Sequence, residues 1–188
     1  TERLLWYITQ GQFQGGVRGS STPPDIDISL SGTPKFVDIS SWYHCVLAWD
    51  TTQGSASDRL KYYVNGTQYT ISSSGTGGVN DIPQNHTMPM NKSGLPFRIG
   101  STISGGSYFD GIMSHLHFCD GIQYAASDFG ETDATTGEWK IKVNPSVTYG
   151  NNGFFVLKDG NSATDQSGQG NNLSVSGTLT KTEDNPSN

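Results

Sequence analysis

Two neighbouring stretches decide the fold: Ser41-Trp42-Tyr43-His44-Cys45-Val46-Leu47-Ala48-Trp49-Asp50, and then Leu60-Lys61-Tyr62-Tyr63-Val64-Asn65-Gly66-Thr67-Gln68-Tyr69-Thr70-Ile71. Successive side chains of an extended chain alternate between two faces. Trp42, His44, Val46 and Ala48 therefore share one face, and Tyr43, Cys45, Leu47 and Trp49 the other. Neither face is polar, as expected of a central strand covered on both sides or with one side at an interface. In the second stretch Asn65-Gly66 separates two runs rich in Tyr, Val, Thr and Ile. Asn-Gly supplies the two positive φ values of a type I′ turn, so residues 60–64 and 67–72 are expected to pair as a hairpin.

Composition extends this reading to the whole chain. The 188 residues suffice for one well-buried domain and are few for two. Hydrophobic residues are 32% and charged residues 15%, while Gly is 24, which disfavours a helical bundle or coiled coil. Disorder is disfavoured too, because 8 Phe, 8 Tyr and 4 Trp can build a core. Turn signals such as Gly15-Gly16, Pro23-Pro24, Gly77-Gly78, Gly105-Gly106 and Asp159-Gly160 separate short strand-like runs. Beyond the hairpin, strands are expected at 4–9, 12–17, 25–30, 35–38, 42–50, 97–99, 109–119, 153–157 and 173–176. A short helical turn is expected over 124–129. The fold class is all-β: a two-sheet antiparallel β-sandwich of jelly-roll type, with residues 1–188 as one domain.

Charge removes several functions. Eleven Lys and Arg against seventeen Asp and Glu leave −6, with no basic stripe, so nucleic acid is not an expected partner. No run approaches 18 apolar residues, so membrane insertion is not expected. The chain opens at Thr1 without Met and stops in polar sequence, which reads as a piece of a longer protein. Cys45 and Cys119 lie in apolar runs and read as buried free thiols acting as small hydrophobes.

Four segments carry a family resemblance. The stretch from Ser41 to Asp50 resembles the "W-x-H-V-A-V-x-x-D" strand of laminin-G-like, or concanavalin-A-like, domains. Tyr63-Val64-Asn65-Gly66 is similar to their "Y-V-N/D-G" turn, and Phe97-Arg98-Ile99-Gly100 to their "x-x-I-G" strand. Phe109-Asp110-Gly111-Ile112-Met113-Ser114-His115-Leu116-His117-Phe118 resembles "F-x-G-x-I-D-E-V-R-I", with Ser114-His115 in place of the family's acidic pair. Three further stretches resemble laminin-G-like proteins of marine tailed phages, including cyanophages. They begin at Asp50-Thr51-Thr52-Gln53, at Asp128-Phe129-Gly130-Glu131 and at Asp165-Gln166-Ser167-Gly168. The resemblance implies a non-catalytic virion module. Its implied partners are other virion proteins, host surface glycans and further copies of the chain in a homo-oligomer. A head, neck or decoration protein without sugar binding is the alternative.

Each chemical motif has a plainer reading beside it. A jelly-roll glycoside hydrolase needs two facing carboxylates. Only Glu2, Glu131, Glu138 and Glu183 exist, and Glu131-Thr132-Asp133 with Glu138 lacks the expected "E-x-D-x-x-E" spacing, so no catalytic residue is assigned. His115-Leu116-His117 has a spacing that suits a metal, with His44 as a conceivable third ligand. Alternating polar residues on a solvent-facing or interface-facing strand explain it better, and no metal residue is assigned. Asp159-Gly160-Asn161 and the stretch from Asp165 to Asn171 offer hard oxygens for a structural Ca2+, but Asx- and Gly-rich turns arise without one. Sugar stacking needs an exposed aromatic in a polar loop, and Tyr108, Trp139 and Tyr149 have that context.

Overall fold

The computed structural model describes residues 3–9, 12–18, 26–30, 36–73, 82–90, 93–102, 106–158 and 163–186. They belong to two compact units, Thr1–Phe109 and Asp110–Asn188.

The first unit contains β1 (Arg3–Thr9), β2 (Gln12–Arg18), β3 (Ile26–Leu30), β4 (Cys45–Trp49), a helical turn α1 (Ala56–Arg59), β5 (Leu60–Val64), β6 (Thr67–Tyr69) and β7 (Ile71–Ser73). One antiparallel sheet runs β1-β2-β3-β7 and another β4-β5-β6. The hairpin forms as expected: Val64 pairs with Thr67, and Asn65 and Gly66 take φ of 46° and 78°. Asn65 is held further, because its Oδ1 accepts from the His44 N–H at 2.8 Å while its own N–H donates to the His44 carbonyl at 2.9 Å.

The run expected over 67–72 breaks at Thr70. Its first part stays beside β5, while Ile71 pairs with Leu30 in the other sheet. One strand-like segment thus crosses between sheets. Leu60, Tyr62 and Val64 alternate on the buried face of β5, at 2%, 0% and 3% exposure. Opposite Leu60 and Tyr62 in register stand Trp49 and Leu47 of β4. This face packs on Trp6 of β1 and Ile71 of β7, with Ile82, Met88, Phe36 and Tyr43 completing the core. Two antiparallel sheets facing each other across apolar side chains make a β-sandwich.

Several expected strands are shorter or absent. The run at 42–50 narrows to Cys45–Trp49, and among the described residues β4 pairs with β5 alone instead of lying centrally. Residues 36–38 form no strand, and from Asp38 the chain turns, its carboxylate accepting from Ser40 N–H, Ser40 Oγ and Ser41 Oγ. The remaining residue of that expected strand, Lys35, lies outside the described residues. Residues 97–99 join no ladder either. Cys45 and Cys119 are free thiols, with Cys45 exposed and Cys119 half-buried where both were expected to be buried. Cys45 combines an open residue surface with a crowded sulfur. The crowding governs its titration: desolvation raises the thiol pKa, against a smaller opposite pull from the Tyr62 hydroxyl.

An unforeseen clamp fixes the loop before β5. The buried Arg59 guanidinium donates to the carbonyls of Gln53, Gly54 and Ile82 at 2.9, 2.9 and 2.6 Å. Asn85 N–H donates to the Thr51 carbonyl and Thr51 Oγ1 to the His86 carbonyl, both at 2.8 Å, so the two loops hold each other.

The second unit contains β8 (Leu116–Phe118), α2 (Ala126–Phe129), β9 (Gly130–Thr132), β10 (Trp139–Ile141) and β11 (Phe154–Val156). β8 pairs with β11 and β9 with β10, all antiparallel. Ala126, Phe129, Phe154, Phe155 and Val156 are its buried apolar residues. The strand expected over 109–119 shrinks because His115 takes a left-handed φ of 48°, which ends the extended run. Leu157, at φ 62°, ends β11 likewise. Residues 173–176 form no strand, although Leu173 N–H still donates to the Ala163 carbonyl at 2.9 Å. No helix among the described residues is long and apolar enough to cross a membrane.

Candidate functional site

The three aromatics expected to present a ring to sugar have different fates. Trp139 is half-buried, with its indole laid over Gly130, where an added Cβ would collide with the ring. Tyr149 belongs to an internal stack: its ring is parallel to Phe155 within 5° and its hydroxyl lies 2.8 Å from His117 Nδ1. Burial raises its phenol pKa. Tyr108 alone of the three is strongly exposed, at 75%.

The backbone around Tyr108 is fixed on both sides. Phe109 N–H donates to the Gly100 carbonyl at 2.8 Å. Thr102 donates twice to the Gly106 carbonyl, from its N–H at 2.9 Å and its Oγ1 at 2.7 Å. Ser107 takes φ 51°, turning the chain immediately before Tyr108. Phe97 and Phe109 are each 43% exposed nearby in sequence, and Arg98 is exposed between Phe97 and the Gly100 clamp.

Two carboxylates of unit two, Glu131 and Asp133, gather around a lysine. β9 and β10 set Glu131 opposite Lys140, and Lys140 Nζ lies 2.9 Å from Asp133 Oδ2 and 3.8 Å from Glu131 Oε1. The Asp133 Oδ1 accepts from Thr135 and Thr136 N–H, which closes the turn between the strands. The Lys140 hydrogen bond and these backbone donors hold the Asp133 carboxyl down to about 2. A general acid needs a raised pKa, so Asp133 is suited to holding its turn and not to donating a proton.

The two histidines of His115-Leu116-His117 face the same ring. His117 stacks on Phe155 at 4.0 Å and His115 lies 5.9 Å from it. They were expected on a solvent-facing or interface-facing side, but the register that pairs His117 with Phe155 turns them onto apolar core. His115 Nδ1 is 2.7 Å from Ser114 Oγ. Among the described residues no three His, Cys, Asp or Glu side chains converge on a point where a metal could sit.

Asp165 organises its loop through four hydrogen bonds. Its Oδ1 accepts from Phe155 and Ser167 N–H, and its Oδ2 from Ser167 Oγ and Asn171 N–H, at 2.8–2.9 Å. Asn171 then donates to the carbonyls of Asn151 and Gly153. Calcium at Asp165 would have to displace these donors, so the residues present do not fit the ion. Asp159-Gly160-Asn161 lies outside the described residues.

A family model described as the concanavalin A-like lectin/glucanases superfamily matches residues 1–126. The chain belongs to this superfamily. No curated protein and no solved structure matches the chain. The concanavalin A-like span takes in the whole sandwich and Tyr108, whereas Glu131, Asp133, Glu138, Trp139 and the Asp165 loop lie beyond it. The superfamily's description names both lectins and glucanases. Carbohydrate binding is compatible with both.

Sequence reasoning named Tyr108 among three equals, because exposure depends on tertiary packing. It missed Arg59 as a clamp and Asp133 as the centre of a hairpin turn. The signal for the second was present in Asp133-Ala134-Thr135-Thr136-Gly137, where Asp begins the turn and Gly137 takes φ 75°.

Proposed function

We propose that this chain is a non-catalytic carbohydrate-binding module on the virion of a tailed phage, placed in a fibre or appendage that attaches to host surface glycans. The observation that carries the sugar part is the match of residues 1–126 to a lectin/glucanase superfamily. The phage part rests on the resemblance of the Asp50, Asp128 and Asp165 stretches. The non-catalytic part is supported by the carboxylates: Glu2 is the sole Glu within the matched span. Asp38 and Asp50 there are each tied to hydroxyl, amide or backbone donors of their own turns. The partners are other virion proteins, glycans and further copies of the chain. An oligomeric fibre multiplies individually weak sugar sites.

The alternative, a structural head, neck or decoration protein, draws on one observation. Val37 and Ile39, on either side of Asp38, stand 69% and 101% exposed, an apolar pair that suits a protein neighbour.

The test is affinity electrophoresis through a panel of bacterial surface polysaccharides, with reducing ends assayed in parallel. Retardation without release of new reducing ends is the expected result. Release of reducing ends would overturn the non-catalytic assignment, and free migration in every polysaccharide would favour the structural alternative.

A further inference from the structure

Within the homo-oligomer of that reading, on which this inference rests, we propose that copies of the chain join through the outer edge of β4. The occupant of that edge is β4 of a second copy, paired antiparallel about a two-fold axis at Leu47. The backbone carries the inference. Asn65 N–H donates to the His44 carbonyl and Asp50 N–H to the Arg59 carbonyl, both at 2.9 Å. Backbone groups point to opposite sides at successive residues of a strand. His44, Val46, Ala48 and Asp50 therefore spend theirs on the β5 side, while Cys45, Leu47 and Trp49 turn theirs outward. Among the described residues no strand meets them there, because β4 ends a sheet of order β4-β5-β6. Such a row of unpaired N–H and C=O groups is a template for another strand.

β4 also lacks the devices that keep outer strands apart, which are charges, Pro, bulges and shortness. Cys45-Val46-Leu47-Ala48-Trp49 contains no charged residue, Pro or Gly, and its register with β5 is unbroken. Cys45, at its start, is exposed. The outer strands β6 and β7 have three residues each and are mostly polar, as Thr67-Gln68-Tyr69 and Ile71-Ser72-Ser73. Both faces of β4 are apolar: Leu47 and Trp49 pack on the core, and Val46 and Ala48 lie on the other side. A strand of this composition belongs inside a sheet, and a second copy puts it there.

The strand is complementary to itself. A two-fold axis brings the same surface of each copy together. Centred on Leu47, it sets Leu47 opposite the partner's Leu47 and Cys45 opposite the partner's Trp49. Every outward N–H then meets an outward C=O. On the other face Val46 stands opposite the partner's Ala48, a larger side chain against a smaller one. At both ends of the shared ladder His44 stands opposite the partner's Asp50, an imidazole facing a carboxylate. No like charges oppose each other across this register, although the chain as a whole carries −6. The product is one continuous sheet running through two sandwiches, with β4 central in it.

The experiment uses the full 188-residue chain in reducing buffer, where no disulfide can join copies. Sedimentation velocity across a wide concentration range is run beside amide exchange. The expected result is a reversible dimer. The amides of Cys45, Leu47 and Trp49 exchange slowly in it and quicken on dilution, whereas those of Val46 and Ala48 stay slow throughout, being bonded to β5. Cys45→Pro removes an outward donor and no bond to β5. It should raise the dissociation constant about tenfold or more, because the two-fold axis deletes that bond twice. Cys45→Lys, which puts a charge on the same edge, should act alike. Gln68→Pro on the outer edge of β6 and Ile8→Lys at the exposed Ile8 of β1 should leave association unchanged. Each variant is checked for its melting temperature when dilute. A dimer that survives both Cys45 variants, or whose Cys45, Leu47 and Trp49 amides exchange fast, would overturn the edge and leave the homo-oligomer intact. Loss of association in Gln68→Pro or Ile8→Lys alone would overturn the choice of strand. A monomer at every concentration would overturn both the edge and the homo-oligomer.

Discussion

The indole rings of Trp6 and Trp49 meet edge to face, with centroids 6.0 Å apart and planes inclined at 64°. Trp6 belongs to β1 in the four-stranded sheet and Trp49 to β4 in the three-stranded one. Each packs against the buried Leu60 and Ile82 pair, so this contact joins the two sheets at the centre of the sandwich. Across β2, Trp6 stands opposite Gly15, whose lack of a side chain leaves that position free of competition.

A double-mutant cycle measures the contribution of that contact. Trp6→Leu and Trp49→Leu each lower unfolding free energy, and their coupling is about 0.5–1.5 kcal/mol, the range for edge-to-face aromatic pairs. Urea denaturation of the four proteins gives the coupling directly. Strict additivity would mean that the rings share a core without interacting specifically.

Gly130→Ala should destabilise by about 1–3 kcal/mol, because the new Cβ collides with the Trp139 indole. The backbone at Gly130 is extended, with φ −152°, so the penalty comes from crowding and not from the dihedral. In a Trp139→Leu background the same substitution should be close to neutral. Equal penalties in both backgrounds would contradict this account.

Asp165→Ala removes one carboxylate that accepts from Phe155, Ser167 and Asn171. The expected loss is about 2–4 kcal/mol, since the orphaned donors include the N–H of the buried Phe155. Amide exchange should quicken at 165–173 while remaining slow in β4 and β5. Adding calcium to the parent should leave both observables unchanged, because the carboxylate oxygens already have partners.

Burial pushes His44 down from 6.5 to about 4. The folded state therefore favours neutral His44, and between these two values the unfolded chain binds more protons. Stability from this group is full above pH 6.5 and is lost as pH falls towards 4, by an amount on the order of 3 kcal/mol. The lowered carboxyls Asp50 and Asp165 act at more acid pH, their contribution being present above 3.8 and lost below it. Melting temperature against pH should fall in two stages, and His44→Gln should flatten the first. A His44→Gln profile parallel to the parent's would contradict the assignment.

What could be read from the sequence was what local chemistry determines. Asn65-Gly66 dictates its own turn, and Leu60, Tyr62 and Val64 bury alternate positions because β5 is extended over its full length. The segment 109–119 misled because its apolar pattern carries no mark of the positive φ at His115. β9 and β10 escaped notice because each has only three residues, too few for periodicity, and is held by the Asp133 turn between them. The break at Thr70 depends on where β3 lies, which no window around Thr70 contains. At the candidate site, residue types singled out Tyr108, Trp139 and Tyr149 equally. Only packing separated the exposed ring from the one over Gly130 and the one stacked with Phe155 and bonded to His117.

The most direct test of the central claim, that this sandwich binds sugar, is a glycan array probed with the multivalent chain, in calcium and again in a chelator. The proposed function predicts selective binding to a few glycans, equal in both conditions. Silence in both conditions would contradict it and favour the proposed structural alternative.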